Sequence, residues 1–172
     1  MKIAGLLSLS WLAFAVLAGS SENTKTDLLG AYLGHWESAG KFAATKYSKP
    51  HTVNSSLDCN WSPQGVYLVC EQLIHDDDGQ HTQLTIYAPN AEDGNFTFYT
   101  FNKPGQKPYI GSLKIEGSVW TYGPTPDVAE TYPLFRTTNV IHNGEVTYKV
   151  EFAEESGHWI TMCEGSSHRT RK

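Results

Sequence analysis

The chain is poor in charge, in cysteine and in helical periodicity, and each scarcity removes a class of function. Charged residues make up 18% of the 172, with 13 Lys and Arg against 18 Asp and Glu, for a formal net charge of −5. That sign argues against a nucleic-acid partner and makes an anionic membrane surface mildly repulsive. No G-x-S-x-G elbow, H-E-x-x-H pair, phosphate loop or dinucleotide fingerprint occurs, so the usual signatures of hydrolase, metalloprotease and nucleotide chemistry are missing. The three cysteines form neither a CxxC redox motif nor a clustered zinc spacing. Neither an internal repeat nor a second domain is visible. What is present is 40% hydrophobic and 12% aromatic residues, enough for one domain with a sizeable core.

The one long apolar run, Ile3 to Ala18, follows Met1-Lys2 and is too short and poorly flanked for a stable membrane span. It reads as a signal peptide covering residues 1–20. Val16 and Ala18 fit the −3 and −1 positions of a signal-peptidase site, and cleavage after Ser20 is the alternative. Ser20 stands where an acylated Cys would be, so no lipid anchor is expected. Residues 21–26 form a polar linker, and 27–172 form a single domain. The expected location is the periplasm or the extracellular space.

Export implies an oxidising compartment, in which Cys59 and Cys70 can pair. Pro63 and Gly65 suit a turn. Centring that turn between Gln64 and Gly65 sets Trp61 opposite Leu68 and Cys59 opposite Cys70, all on the core face. Cross-strand neighbours are close enough for a disulfide, which leaves Cys163 as the odd thiol.

Asp27 to Ser38 organises the rest. Asp27 is placed to cap a short helical turn carrying Leu28, Leu29, Tyr32 and Leu33. Gly34-His35-Trp36 then turns extended, so that Trp36 closes one end of a β-rich domain. Residues 39–56 read as a loop or lid leading into a strand. From Val66 onward, short aromatic and β-branched runs alternate with turn signals. Asp76 to Gly79, Pro89 to Gly94, Glu116-Gly117 (pairing Leu113 with Trp120) and Asn143-Gly144 are such turns. The last hairpin allows two registers, one turning Trp159 and Cys163 inward and the other Ile160 and Met162. The pattern predicts an all-β, antiparallel up-and-down barrel of about eight to ten strands with a short N-terminal helix.

Asn143-Gly144 is the strongest hairpin signal, and it sets the register of its two strands. Phe135 then faces Phe152 and Asn139 faces Tyr148, while Arg136-Glu151 and Thr138-Lys149 face solvent. The inward set mixes apolar walls with Thr137, Asn139 and Tyr148, which suits a lumen that takes a small ligand. The candidate ligand-binding residues are Thr137, Asn139, Tyr148, Phe135 and Phe152. A solid core in which these groups satisfy one another is the alternative.

With Gly34-x-Trp36 opening a meander, the chain resembles the calycin superfamily, the lipocalins and fatty-acid-binding proteins. Leu29-x4-Gly34-x-Trp36, Asp78-Gly79, and Arg136 before Ser156-Gly157-His158-Trp159 resemble an exported bacterial family of lipocalin-like domains of unknown function. The usual Ser-x-Asp-Gly before the late Trp is shortened here to Ser156-Gly157. The resemblance implies a structural plug of Gly34, Trp36 and a basic residue packed over the Trp, Arg169 or alternatively Arg136. It implies no established activity.

Two further readings stay open beside a small apolar or amphipathic ligand. Barrels resembling nitrobindin bind haem through a His near the C-terminus, and His168 lies there, before a basic tail that reads as a frayed terminus. Calycin barrels also include isomerases and cyclases, for which Asn139 and Tyr148 form a candidate pair. His75 and His81 flank the acidic turn, and a three-residue loop centred on Asp78 would set them opposite one another as metal ligands. A solvated hairpin tip is the simpler reading. No catalytic residue, metal or cofactor is therefore assigned. An interaction module docking a partner through Tyr99 or Phe101 is the remaining class.

Overall fold

A computed structural model describes residues 27–91, 94–125 and 134–170. The signal peptide and the linker of residues 21–26 lie outside them, as do Glu92, Glu130 and most of the irregular connection before Leu134. Ten strands follow a single turn of 3-10 helix at Gly30–Tyr32: β1 Gly34–Phe42, β2 His51–Trp61, β3 Leu68–Asp76, β4 Gly79–Pro89 and β5 Phe96–Phe101. The second half comprises β6 Tyr109–Glu116, β7 Val119–Pro124, β8 Leu134–His142, β9 Glu145–Ala153 and β10 Trp159–Thr170. Each strand pairs antiparallel with its neighbour in sequence, and β10 returns to β1, closing the barrel without a free edge. The fold is a lipocalin-like up-and-down barrel.

Turn chemistry sets the registers. Asn143 (φ +50°) and Gly144 (φ +80°) form the two-residue turn that matches strand twist, and they pair His142 with Glu145. Phe135 consequently meets Phe152, and Asn139 meets Tyr148. The β2–β3 hairpin sets Trp61 against Leu68 and Cys59 against Cys70, whose sulfurs are bonded. Both halves of that disulfide lie in the core beside Leu68 and Leu29.

Several expectations need correction. The β6–β7 turn is Gly117-Ser118, so Ile115 meets Trp120 and Leu113 meets Tyr122. A slip of two residues keeps every side chain on its expected face, since strand side chains repeat every two. The acidic turn has two central residues, Asp77 and Asp78, with Asp76 paired to Gly79. His75 then meets Gln80 and His81 meets Ile74, which sends the two imidazoles to opposite faces. No cluster of three metal-ligating side chains occurs among the described residues. The lid predicted over 39–56 shrinks to the loop 43–50, because β1 and β2 pair from Gly34–Cys59 to Phe42–His51.

In β10 neither proposed register holds throughout. A bulge between Thr161 and Cys163 puts Ile160 opposite Phe152 and Cys163 opposite Val150. Ile160 and Cys163 therefore face inward together, and Trp159 faces outward. There the Arg136 guanidinium stacks on its ring at 4.0 Å and its Nε–H donates to Glu151 at 2.7 Å. As far as Thr170 the C-terminal segment is strand rather than a frayed end. His168 lies within β10, exposed on the outer face opposite Glu37 and Glu145. It cannot reach the lumen as a haem ligand.

Candidate functional site: the barrel lumen

The floor is built by the segment that enters β1. Trp36, only 1% exposed, donates its indole N–H to the Tyr32 carbonyl at 2.8 Å. Tyr32 stacks on Trp120 at 4.8 Å and tilts against Trp36 at 5.8 Å, so three aromatic rings cross the barrel end. The Arg169 guanidinium lies 4.8 Å from the centre of the Trp36 ring, and it also donates to the Ala31 carbonyl. Gly34 makes the corner at φ +103°, a conformation that a side chain would strain. Arg136, the alternative partner for Trp36, is the one committed to Trp159.

The same packing that seals the floor delivers the Tyr32 hydroxyl into the lumen. There it accepts a hydrogen bond from the Asn139 side-chain amide, Nδ2 to Oη. Tyr87 and Tyr122 complete a cluster of phenols. Burial pushes all three hydroxyls above the ordinary tyrosine range. The Tyr32 and Tyr87 hydroxyls bear on that of Tyr122, but neither meets it with hydrogen-bonding geometry. Tyr122 Oη and Asn139 Oδ1 are enclosed without a partner among the described residues. Tyr122 is half-buried and lines the cavity.

Above the floor is a cavity of about 650 Å³. One wall is polar: Gln72 donates to Ser55 at 2.9 Å, Gln83 to Thr85 at 3.4 Å, and the Thr85 and Thr100 hydroxyls meet at 3.1 Å. Val53, Leu57, Ile74, Phe98 and Val150 supply apolar surface around it. The charged and imidazole groups lining the cavity are Asp76, His81, His51 and Arg136, all near the strand ends at the mouth. Phe135, Thr137, Asn139 and Tyr148 lie on the cavity wall. Phe152 does not; it is buried behind Tyr47, whose ring meets it edge-on at 4.7 Å.

Asn139 and Tyr148 are cross-strand neighbours yet do not form a working pair. The Asn139 amide is turned to Tyr32, whereas the Tyr148 hydroxyl lies over Gly40 and Gly165. Those glycines face each other across the β1–β10 seam. A Cβ on either would collide with the Tyr148 phenol, so the pair makes room for that ring. Cys163 is a free thiol buried at the wall, and burial pushes its pKa up, away from a reactive thiolate.

Sequence reasoning missed the polar wall and the phenol cluster. On β4, Leu84 and Ile86 attract notice as an apolar alternation, but they share the outer face with Val69, Tyr99 and Phe101. The lumen receives Gln83, Thr85 and Tyr87 instead. A signal was available. Once Cys70 faces inward, strand alternation sends Gln72 and Ile74 inward, and cross-strand pairing carries that face to Gln83 and Thr85.

A scan against known protein families finds no match, and a search of curated proteins finds none. Solved structures share the fold. Rv2717c from M. tuberculosis superposes with a TM-score of 0.62 at 16% identity, covering 86% of this chain and 98% of that one. The S-type phycobiliprotein lyase CPES from Guillardia theta gives 0.59 at 9% identity, over 90% and 99% of the two chains. A DUF3598 protein of unknown function from Nostoc punctiforme gives 0.54 at 12%, over 83% of this chain and 49% of its own. At these identities the likeness is one of fold.

Proposed function

We propose that the protein is an exported binding protein that holds a small amphipathic molecule in its barrel and does not transform it. The observation carrying this reading is the lumen, a cavity of about 650 Å³ with an apolar side and a hydrogen-bonded polar stripe. Small-ligand sites commonly enclose ~300–1,000 Å³ with a few polar groups among apolar walls. Phe135, Thr137, Asn139 and Tyr148 contact the ligand from β8 and β9, and Tyr32, Tyr87 and Tyr122 meet its deep end. These phenols stay protonated near neutral pH, so they offer hydrogen-bond donors rather than general bases. Export is supported by the Ile3 to Ala18 run and by the Cys59–Cys70 disulfide, which suits an oxidising compartment.

The barrel enzyme is the second reading, favoured by the phycobiliprotein lyase among the proteins of this fold. Native mass spectrometry of protein purified without denaturant tests both. Binding predicts a discrete adduct released intact on unfolding. Its conversion to a new mass, abolished in Asn139→Leu, would favour the enzyme. The bare chain alone, with no apolar compound retained from a mixed panel, would end the binding reading.

A further inference from the structure

Resting on that lumen reading, we infer that the ligand enters with an uncharged hydrogen-bonding end first, and that Asn139 and Tyr122 recognise it. The class is a carboxamide, lactam or alcohol on an apolar body, and excludes an anion held at the floor.

Asn139 is 8% exposed; its Nδ2 is satisfied by Tyr32 and its Oδ1 has no partner among the described residues. An enclosed acceptor left unpaired is costly, and folds retain such groups where something else completes them. Tyr122 offers an equally enclosed hydroxyl on the same cavity. A head that both donates and accepts satisfies the pair, donating to Asn139 Oδ1 and accepting from Tyr122. Such a head also suits the Asn139 amide whichever of its ends faces the lumen.

An anion fits poorly. The only cationic or titratable basic groups lining the cavity among the described residues, Arg136, His51 and His81, lie toward the mouth. The Arg136 guanidinium is already paired with Glu151 and stacked on Trp159. A carboxylate at the floor would lose its hydration without gaining a cation. A ligand carrying charge is therefore oriented with that charge at the mouth.

Octanamide and octanoate, matched in size, separate these cases by calorimetry at pH 8 on the intact exported protein. The wild type is expected to bind octanamide at least about tenfold more tightly, a difference of about 1.4 kcal/mol. Asn139→Leu and Tyr122→Phe should each shrink that ratio by weakening octanamide, with far-UV circular dichroism confirming that both fold. Equal affinities, tighter octanoate, or a ratio unmoved in both variants would overturn the inference and leave the lumen reading standing. If neither probe binds, the inference fails. The lumen reading fails with it only when native mass spectrometry also finds no bound molecule.

Discussion

Trp36→Ala tests the element on which the barrel floor depends. The indole is 1% exposed, contacts Tyr32, donates to its carbonyl at 2.8 Å, and supports Arg169 on another side. Truncating a buried Trp costs ~3–5 kcal/mol, from lost burial and the cavity left behind. The lost hydrogen bond accounts for ~1 kcal/mol within that range, since the carbonyl that accepted it stays enclosed by the turn. A domain of this size has ~5–15 kcal/mol in total, so the variant should be marginal. Equilibrium urea unfolding under oxidising conditions, followed by far-UV circular dichroism, measures the loss. Arg169→Ala should cost only ~0.5–1 kcal/mol, because it removes a cation stacked from a partly exposed strand end. Trp120 is no neutral comparison, being 2% exposed and stacked on Tyr32, and Trp120→Ala should cost as much as Trp36→Ala. Trp159, outside the barrel, is the proper control. A Trp36→Ala loss below ~1 kcal/mol, far under the range for core truncation, would refute the closed floor.

Three more expectations can be checked readily. Thiol labelling should find no fast-reacting cysteine in the native protein, one after denaturation without reductant, and three after reduction; three without reductant would refute the Cys59–Cys70 bond. Because burial raises the pKa of Tyr32, Tyr87 and Tyr122, their stabilising contribution is complete below the unfolded value of ~10 and declines as pH rises through the folded values. Absorbance at alkaline pH should show these three ionising only with unfolding, and reversible titration of all nine tyrosines near pH 10 in a folded chain would contradict it. Gly40→Ala should destabilise by ~1–3 kcal/mol through collision with the Tyr148 hydroxyl, and Tyr148→Phe should partly relieve it. Gly165→Ala also meets the Ala39 carbonyl, so Tyr148→Phe should relieve it less; equal relief at both glycines would show that the backbone contact is unimportant.

Much of the barrel was legible because its turns are chemically explicit. Asn143-Gly144 and the Pro63 to Gly65 turn each determine a register, and a register assigns the face of every residue in two strands. Where the turn residue is a lone glycine, as at Gly117, the sequence leaves its position in the turn open, and Leu113 and Trp120 were offset by two. The β10 bulge at Met162 has no sequence mark, and it alone reconciles an inward Cys163 with an outward Trp159. The polar wall was hidden for a different reason. Hydrophobic alternation suggests which face is buried, but a barrel that encloses a polar stripe can turn Gln83 and Thr85 inward and Leu84 and Ile86 outward. Tyr32 was visible as part of the plug, while the 107-residue separation from Asn139 gave no hint that its hydroxyl completes the lumen.

The most direct test of the lumen is binding of a neutral environment-sensitive dye, N-phenyl-1-naphthylamine, to the wild type and to Val150→Trp, which fills the cavity from its wall. The account predicts saturable binding with one dye per wild-type chain, weakened at least about tenfold in a Val150→Trp protein that still folds. Absence of saturable binding in the wild type, or undiminished binding in the filled barrel, would contradict it.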